Sequence, residues 1–152
     1  KLKLGWVCYY SRAFGRHLAK EEWFSFNTAL EFWTFVYKHL QKKVKLWIMA
    51  RNIVFDFTLV EGWKYLRLAG FKLKFFHNAG TTSIISVQGR FGSMVFLDIM
   101  NWFVESLAKT GERIGVPKLK IDFETCTDDY LSTYCKRDVE IELENFKRFI
   151  KS

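Results

Sequence analysis

Leu2 to Tyr10 (L-K-L-G-W-V-C-Y-Y) is an apolar, aromatic run of strand length, and Glu22–Phe26 (E-W-F-S-F) reads as its return after a turn that holds Gly15. Asn27 or Thr28 can cap a helix beginning there. Leu30, Trp33, Tyr37 and Leu40 then recur at three-to-four spacing, with Val36 beside them, as an amphipathic helix requires. Val44–Ala50 (V-K-L-W-I-M-A) is short, apolar and partly β-branched, which suits a buried strand. A helix is expected from about Phe55 to about Leu68, with Gly70 as its C-cap. Lys72–His77 and Ser83–Gln88 read as strands joined by the turn chemistry of Asn78-Ala79-Gly80. Met94–Leu97 is a further apolar strand, after which Asp98 or Asn101 is expected to cap a helix running through Ala108. Gly111, Gly115 and the only proline, Pro117, punctuate a loop. A last helix runs from near Thr127 to Phe149, its T-D-D-Y start giving a cap and an acidic first turn. Strands and helices interleave without a repeat or a linker, so the expected class is α/β with a mixed sheet flanked by helices.

A chain of 152 residues fits one domain. With 49% hydrophobic and 18% aromatic residues it is neither disordered nor collagen-like. No apolar run approaches the ~18–20 residues of a membrane span, and no signal peptide opens the chain. Cys8, Cys126 and Cys135 show no C-x-x-C spacing, so a disulfide framework is not expected and an intracellular, reducing compartment is. His17, His39 and His77 are scattered without an i,i+4 partner, which argues against a histidine metal site. The formal charge is +8, and residues 1–51 alone carry ten Lys/Arg against three acids. That stretch can lie along a phosphate backbone, or be a solvated surface.

Two groups of residues carry candidate chemistry. The first is Arg51-Asn52-Ile53-Val54-Phe55-Asp56, directly after the Val44–Ala50 strand, with Asn52 and Asp56 four apart. At a strand end running into a helix both can face one cleft, where open α/β sheets place their ligands. The second is Tyr134-Cys135-Lys136-Arg137-Asp138, where Tyr134 and Asp138 share one helical face. Singly, each has a plain structural explanation: an aspartate capping a helix, and a tyrosine–aspartate pair on a surface.

Together and in this order, the two resemble the second and third motifs of the 3′–5′ proofreading exonuclease domains of family B DNA polymerases. These are DEDD exonucleases with a ribonuclease-H-like fold. The second motif, N-x-x-(F/Y)-D, corresponds to Asn52 through Phe55 and Asp56, and the third, Y-x-x-x-D, to Tyr134 and Asp138. Leu97-Asp98 followed by a helix, then Gly115-Val116-Pro117-Lys118, is similar to the segment that leads to the third motif. The resemblance implies two-metal hydrolysis by Mg²⁺ or Mn²⁺ at the 3′ end of single-stranded DNA, with a polymerase domain in the same full-length chain and no membrane. It implies Asp56 and Asp138 as metal ligands and Tyr134 as the residue orienting the attacking water. Asn52, with Arg51 and Phe55 beside it, would meet the terminal nucleotide, although Phe55 is expected to pack rather than react. Arg51 stands where the family often has His.

The family's first motif, D-x-E on the central strand, has no counterpart upstream of Asn52, because residues 1–51 contain no Asp. Asp122-Phe123-Glu124 spells it, but lies just before the helix of the third motif and is expected to be a loop. The resulting expectation is a single domain over 1–152, N-terminally incomplete, lacking its first, central strand and inactive in isolation. The alternative is a non-catalytic nucleic-acid-binding module on the same fold, and a third reading is an RNA exonuclease.

Overall fold

In a computed structural model the chain is described over residues 2–80 and 82–151. It divides into two compact units, one built on Thr28–Val104 and one on Lys3–Asn27 with the chain from Glu105 onward.

The first unit opens with α1 (Ala29–Tyr37). Thr28 Oγ1 accepts the Glu31 N–H at 3.2 Å, and Glu31 Oε1 accepts the Thr28 N–H at 3.1 Å. Two otherwise orphaned donors of the helix start are satisfied at once. The buried face is Ala29, Phe32, Trp33, Phe35 and Val36. Leu30, expected on that face, is exposed, and the helix ends before Leu40. Tyr37 is half-buried, outside the fully buried face.

The sheet of this unit has four strands: β3 (Lys45–Ala50), β4 (Lys72–Ala79), β5 (Thr82–Gly89) and β6 (Gly92–Asp98), in the order β3-β6-β5-β4. β3 runs parallel to β6 and the other pairings are antiparallel, so the sheet is mixed and the class is α/β. β6 is central and buried from Met94 to Asp98. β3 lies at an edge, and its Trp47 is exposed instead of buried as the apolar run suggested. β4 and β5 form the expected hairpin, with Gly80 at φ +60° in the turn. A bulge interrupts their register between Leu73 and Phe75.

The expected helix over 55–68 is two: α2 (Ile53–Leu59) and α3 (Gly62–Leu68). The break sits at Glu61, which is left-handed at φ 54°. Gly62 explains it, because a Cβ there would lie 2.4 Å from the Phe57 ring. The Trp33 indole N–H donates to the Val60 carbonyl at the break, at 2.7 Å. The break lets both short helices pack on the sheet, Phe57 against Phe96 (ring centroids 5.0 Å apart) and Trp63 against Phe76 (5.7 Å). Asp98 caps only a three-residue 3-10 turn, Ile99–Asn101, and the following helix begins later than expected.

In the second unit, β1 (Gly5–Ser11) and β2 (Lys20–Phe26) form an antiparallel hairpin. α4 (Leu107–Ile114) is capped by Ser106, whose Oγ accepts the Lys109 N–H at 3.2 Å. Gly111, read as a loop residue, lies inside α4. A Cβ there would come within 2.6 Å of the Val116 carbonyl oxygen, so its lack of a side chain lets the chain fold back over the helix. Gly115 ends α4 in the left-handed conformation, as a C-cap does.

The chain closes with α5 (Asp128–Lys151). The hairpin lies on α5: Trp6 donates its indole N–H to Ser132 Oγ at 3.0 Å. The Lys136 ammonium sits 5.2 Å from the Trp6 ring and 5.3 Å from the Trp23 ring. Lys147 pairs with Glu21 at 2.8 Å. These contacts hold both ammonium groups against the hairpin's rings and acid. Among the described residues no helix is long and apolar enough to cross a membrane.

Candidate functional site

The first group of residues stands at the end of β3. Asn52 is left-handed at φ 62°, a conformation asparagine tolerates better than most residues, and it turns the chain from strand into α2. Its carbonyl accepts the Phe55 and Asp56 N–H groups, at 3.1 and 3.4 Å. The first N–H groups of a helix have no partner within it. Asp98, across the parallel register from Ala50, meets that need: its Oδ2 accepts the Ile53 N–H at 3.1 Å and its Oδ1 the Met100 N–H at 2.9 Å. Asp98 is 6% exposed, so one buried carboxylate fixes both the start of α2 and the turn after β6.

Arg51 donates from Nη1 to the Met100 sulfur at 3.4 Å. Phe55 is 60% exposed; it does not pack into the core as the sequence suggested, because α2 turns Ile53 and Phe57 inward instead. Asp56 keeps contact with solvent, yet its carboxyl is pushed up to about 6, first by lost hydration and then by the Asp98 carboxylate. The folded chain therefore holds the Asp56 proton to about pH 6, while the unfolded chain releases it near 3.8. Between those values the folded state binds more protons, so stability falls as pH rises through the window and levels off above it. Asp56→Asn is expected to reduce that slope, seen as a smaller difference between the urea midpoints at about pH 4 and about pH 7 than in the parent chain. A difference unchanged by the substitution would remove Asp56 as a source of the slope.

The second group of residues lies in the other unit. Tyr134 and Asp138 share one face of α5, and Lys118, from the segment after Pro117, reaches both. Its ammonium donates to the Tyr134 hydroxyl and to both Asp138 oxygens, at 3.0 and 3.2 Å. Burial by itself would lower the Lys118 pKa, but the bonds to Tyr134 and Asp138 outweigh it and hold the ammonium charged. Burial raises the Asp138 carboxyl by more than Lys118 lowers it. The Tyr134 ring meets Phe123 edge-on at 5.8 Å. Cys135 beside it is half-buried, and burial, followed by the Asp138 charge, raises its thiol pKa, so it stays protonated and unreactive.

Lys118 was legible only as part of the Gly115–Lys118 segment, with no role of its own, and its partners lie 16 and 20 residues away. Asp98 was legible as a cap, but its bond to Ile53 was not.

Asp122 and Glu124 form a local turn, in which Asp122 Oδ1 accepts the Glu124 N–H at 3.0 Å. The oxygen donors of Asp56 and Asp138 suit a hard divalent cation by type. Among the described residues, however, no group of three or more His, Cys, Asp or Glu side chains is placed to hold a metal ion. No family model, curated protein or solved structure matches the chain.

Proposed function

We propose that the chain is the 3′–5′ exonuclease domain of a family B-like DNA polymerase, on a ribonuclease-H-like fold, handling single-stranded DNA 3′ ends. The observation that carries this reading is the Lys118–Tyr134–Asp138 cluster. A phenol, a carboxylate and an ammonium meet on one helix face, at the positions where the third-motif resemblance asks for a water-orienting group and a metal-binding group. The second-motif segment supports it, since Asn52 and Asp56 stand at a strand's carboxyl end on a backbone fixed by Asp98. Bound Mg²⁺ or Mn²⁺ would activate water and stabilise the leaving oxygen. Within the chain, Tyr134 holds and aims a water, Lys118 offers positive charge to a phosphate, and Asn52 and Phe55 meet the terminal nucleotide.

The test is release of mononucleotides from a 3′-labelled single strand by the protein expressed from its own gene, including whatever codons precede Lys1. Mn²⁺-dependent release is expected. Asp138→Ala is expected to cut the rate by at least about a hundredfold, the scale on which loss of one group at a reacting centre acts, with DNA binding retained. Near-normal cleavage by that variant would remove Asp138 from the site.

A non-catalytic nucleic-acid-binding module is the second reading. It is favoured by the ion pair that occupies Asp138 and by the lack of a three-carboxylate cluster among the described residues. Salt-sensitive binding without any cleavage by the same gene product would establish it over the first.

A further inference from the structure

The face of the four-stranded sheet opposite α1–α3 holds a feature that neither group of residues uses. The strand register places Trp47, Val95, Ser86 and Phe75 in one row across β3, β6, β5 and β4. Two aromatic rings, each 52% exposed, stand at the ends of that row with a low floor between them. They are three strand spacings apart, roughly 14 Å. The next row on the same face is Lys45, Ser93, Gln88 and Lys72, so each ring has a lysine in the neighbouring row. The Lys45 ammonium lies 5.7 Å from the Trp47 ring centroid.

Trp102 and Asn101 complete the wall of this trough, whose volume is about 600 Å³. None of its lining residues is acidic.

We infer that this trough binds unpaired bases of a single-stranded nucleic acid, lying across the strands. One base stacks on Trp47 and another on Phe75, and phosphates follow the Lys45–Lys72 row. Flat rings flanked by cations and free of acids suit this polyanion with its aromatic bases; a lipid surface or an acidic-flanked apolar peptide would use the cations but not the row geometry. Neither Asp56 nor Asp138 lines the trough, so the inference stands whether or not the chain hydrolyses DNA.

The test is quenching of tryptophan fluorescence by oligo(dT) of about 12 nucleotides, in EDTA so that cleavage cannot intervene. Trp47→Ala and Phe75→Ala are each expected to weaken binding about 5-fold or more, the equivalent of about 1 kcal/mol per stacked base. With Trp47 absent, a dye-labelled strand supplies the signal by anisotropy. Trp47→Phe, which keeps a ring, is expected to restore most of the affinity. Lys45→Gln with Lys72→Gln is expected to reduce the slope of log K against log salt by about 0.7 per lysine. Both ring positions are exposed, so far-UV circular dichroism should not change. Unchanged oligo(dT) affinity in the Trp47→Ala/Phe75→Ala double variant, with the fold intact, would overturn the inference. So would a self-association that the same double variant abolishes, since the face would then belong to a second copy of the chain.

Discussion

Trp33→Ala is expected to cost about 3–5 kcal/mol, the largest single loss available in this chain. Trp33 is fully buried and sits where α1, the α2–α3 break and the central strand meet. Its ring lies 5.1 Å from Phe32, 5.6 Å from Tyr37 and 6.0 Å from Phe96. Its N–H also supplies the donor for the Val60 carbonyl. Removing it opens a cavity that four short elements would have to close together. A small domain has only about 5–15 kcal/mol in total, so a large share of stability goes at once. Trp33→Phe separates the two contributions. It keeps most of the ring and loses the hydrogen bond, worth about 1 kcal/mol. Urea unfolding of the three proteins checks this, and a Trp33→Ala loss no larger than the Trp33→Phe loss would mean the packing counts for little.

Asp98→Ala is expected to act on both stability and the titration of Asp56. The Ile53 N–H loses its acceptor in a buried place, at about 1–3 kcal/mol for a donor left unpaired, and the Met100 N–H loses one in a part-buried place. The backbone that presents Asn52 and Asp56 is then released from the end of β6. With the neighbouring carboxylate gone, the Asp56 carboxyl should titrate below its value of about 6, though still above its ordinary value, because lost hydration is the larger cause. Carboxyl chemical shifts followed against pH read this directly. An unmoved Asp56 titration would mean that the two carboxylates do not sense one another. A purely structural role for Asp98 would change the unfolding curve and leave that titration in place.

The hairpin on α5 clarifies the charge pattern. Read along the chain, Lys136 and Lys147 are two of several charged residues on α5. In the folded unit they lie on Trp6, Trp23, Tyr10 and Glu21. Lys45 and Lys72, on the open sheet face, come from strands 27 residues apart in sequence. Net charge alone marks neither set.

The sequence by itself determined those features that depend on neighbours along the chain. Thr28 and Glu31 cap α1 because their spacing fits one turn. The Asn78–Gly80 turn joins β4 and β5 because glycine takes a positive φ at little cost. The 127–149 stretch is helical because its start and periodicity are local. Interleaved strands and helices likewise made the α/β class legible. Tertiary structure decided the rest. One expected helix is two, with Phe57 packed against Gly62 at the break, and α1 buries Phe32, Trp33, Phe35 and Val36 while Leu30 stays exposed. The apolar run of β3 gave no sign that it would lie at a sheet edge with Trp47 open to solvent, because which strand takes the centre depends on pairings distant in sequence. The same holds for the site. Asn52, Asp56, Tyr134 and Asp138 were visible as spaced motifs, whereas Lys118 and the Asp98 bond to Ile53 were not. Those contacts join segments 16 to 45 residues apart. Spacing along a chain records a helix turn or a strand alternation, but a hydrogen bond across a fold exists only once packing has brought its two ends together.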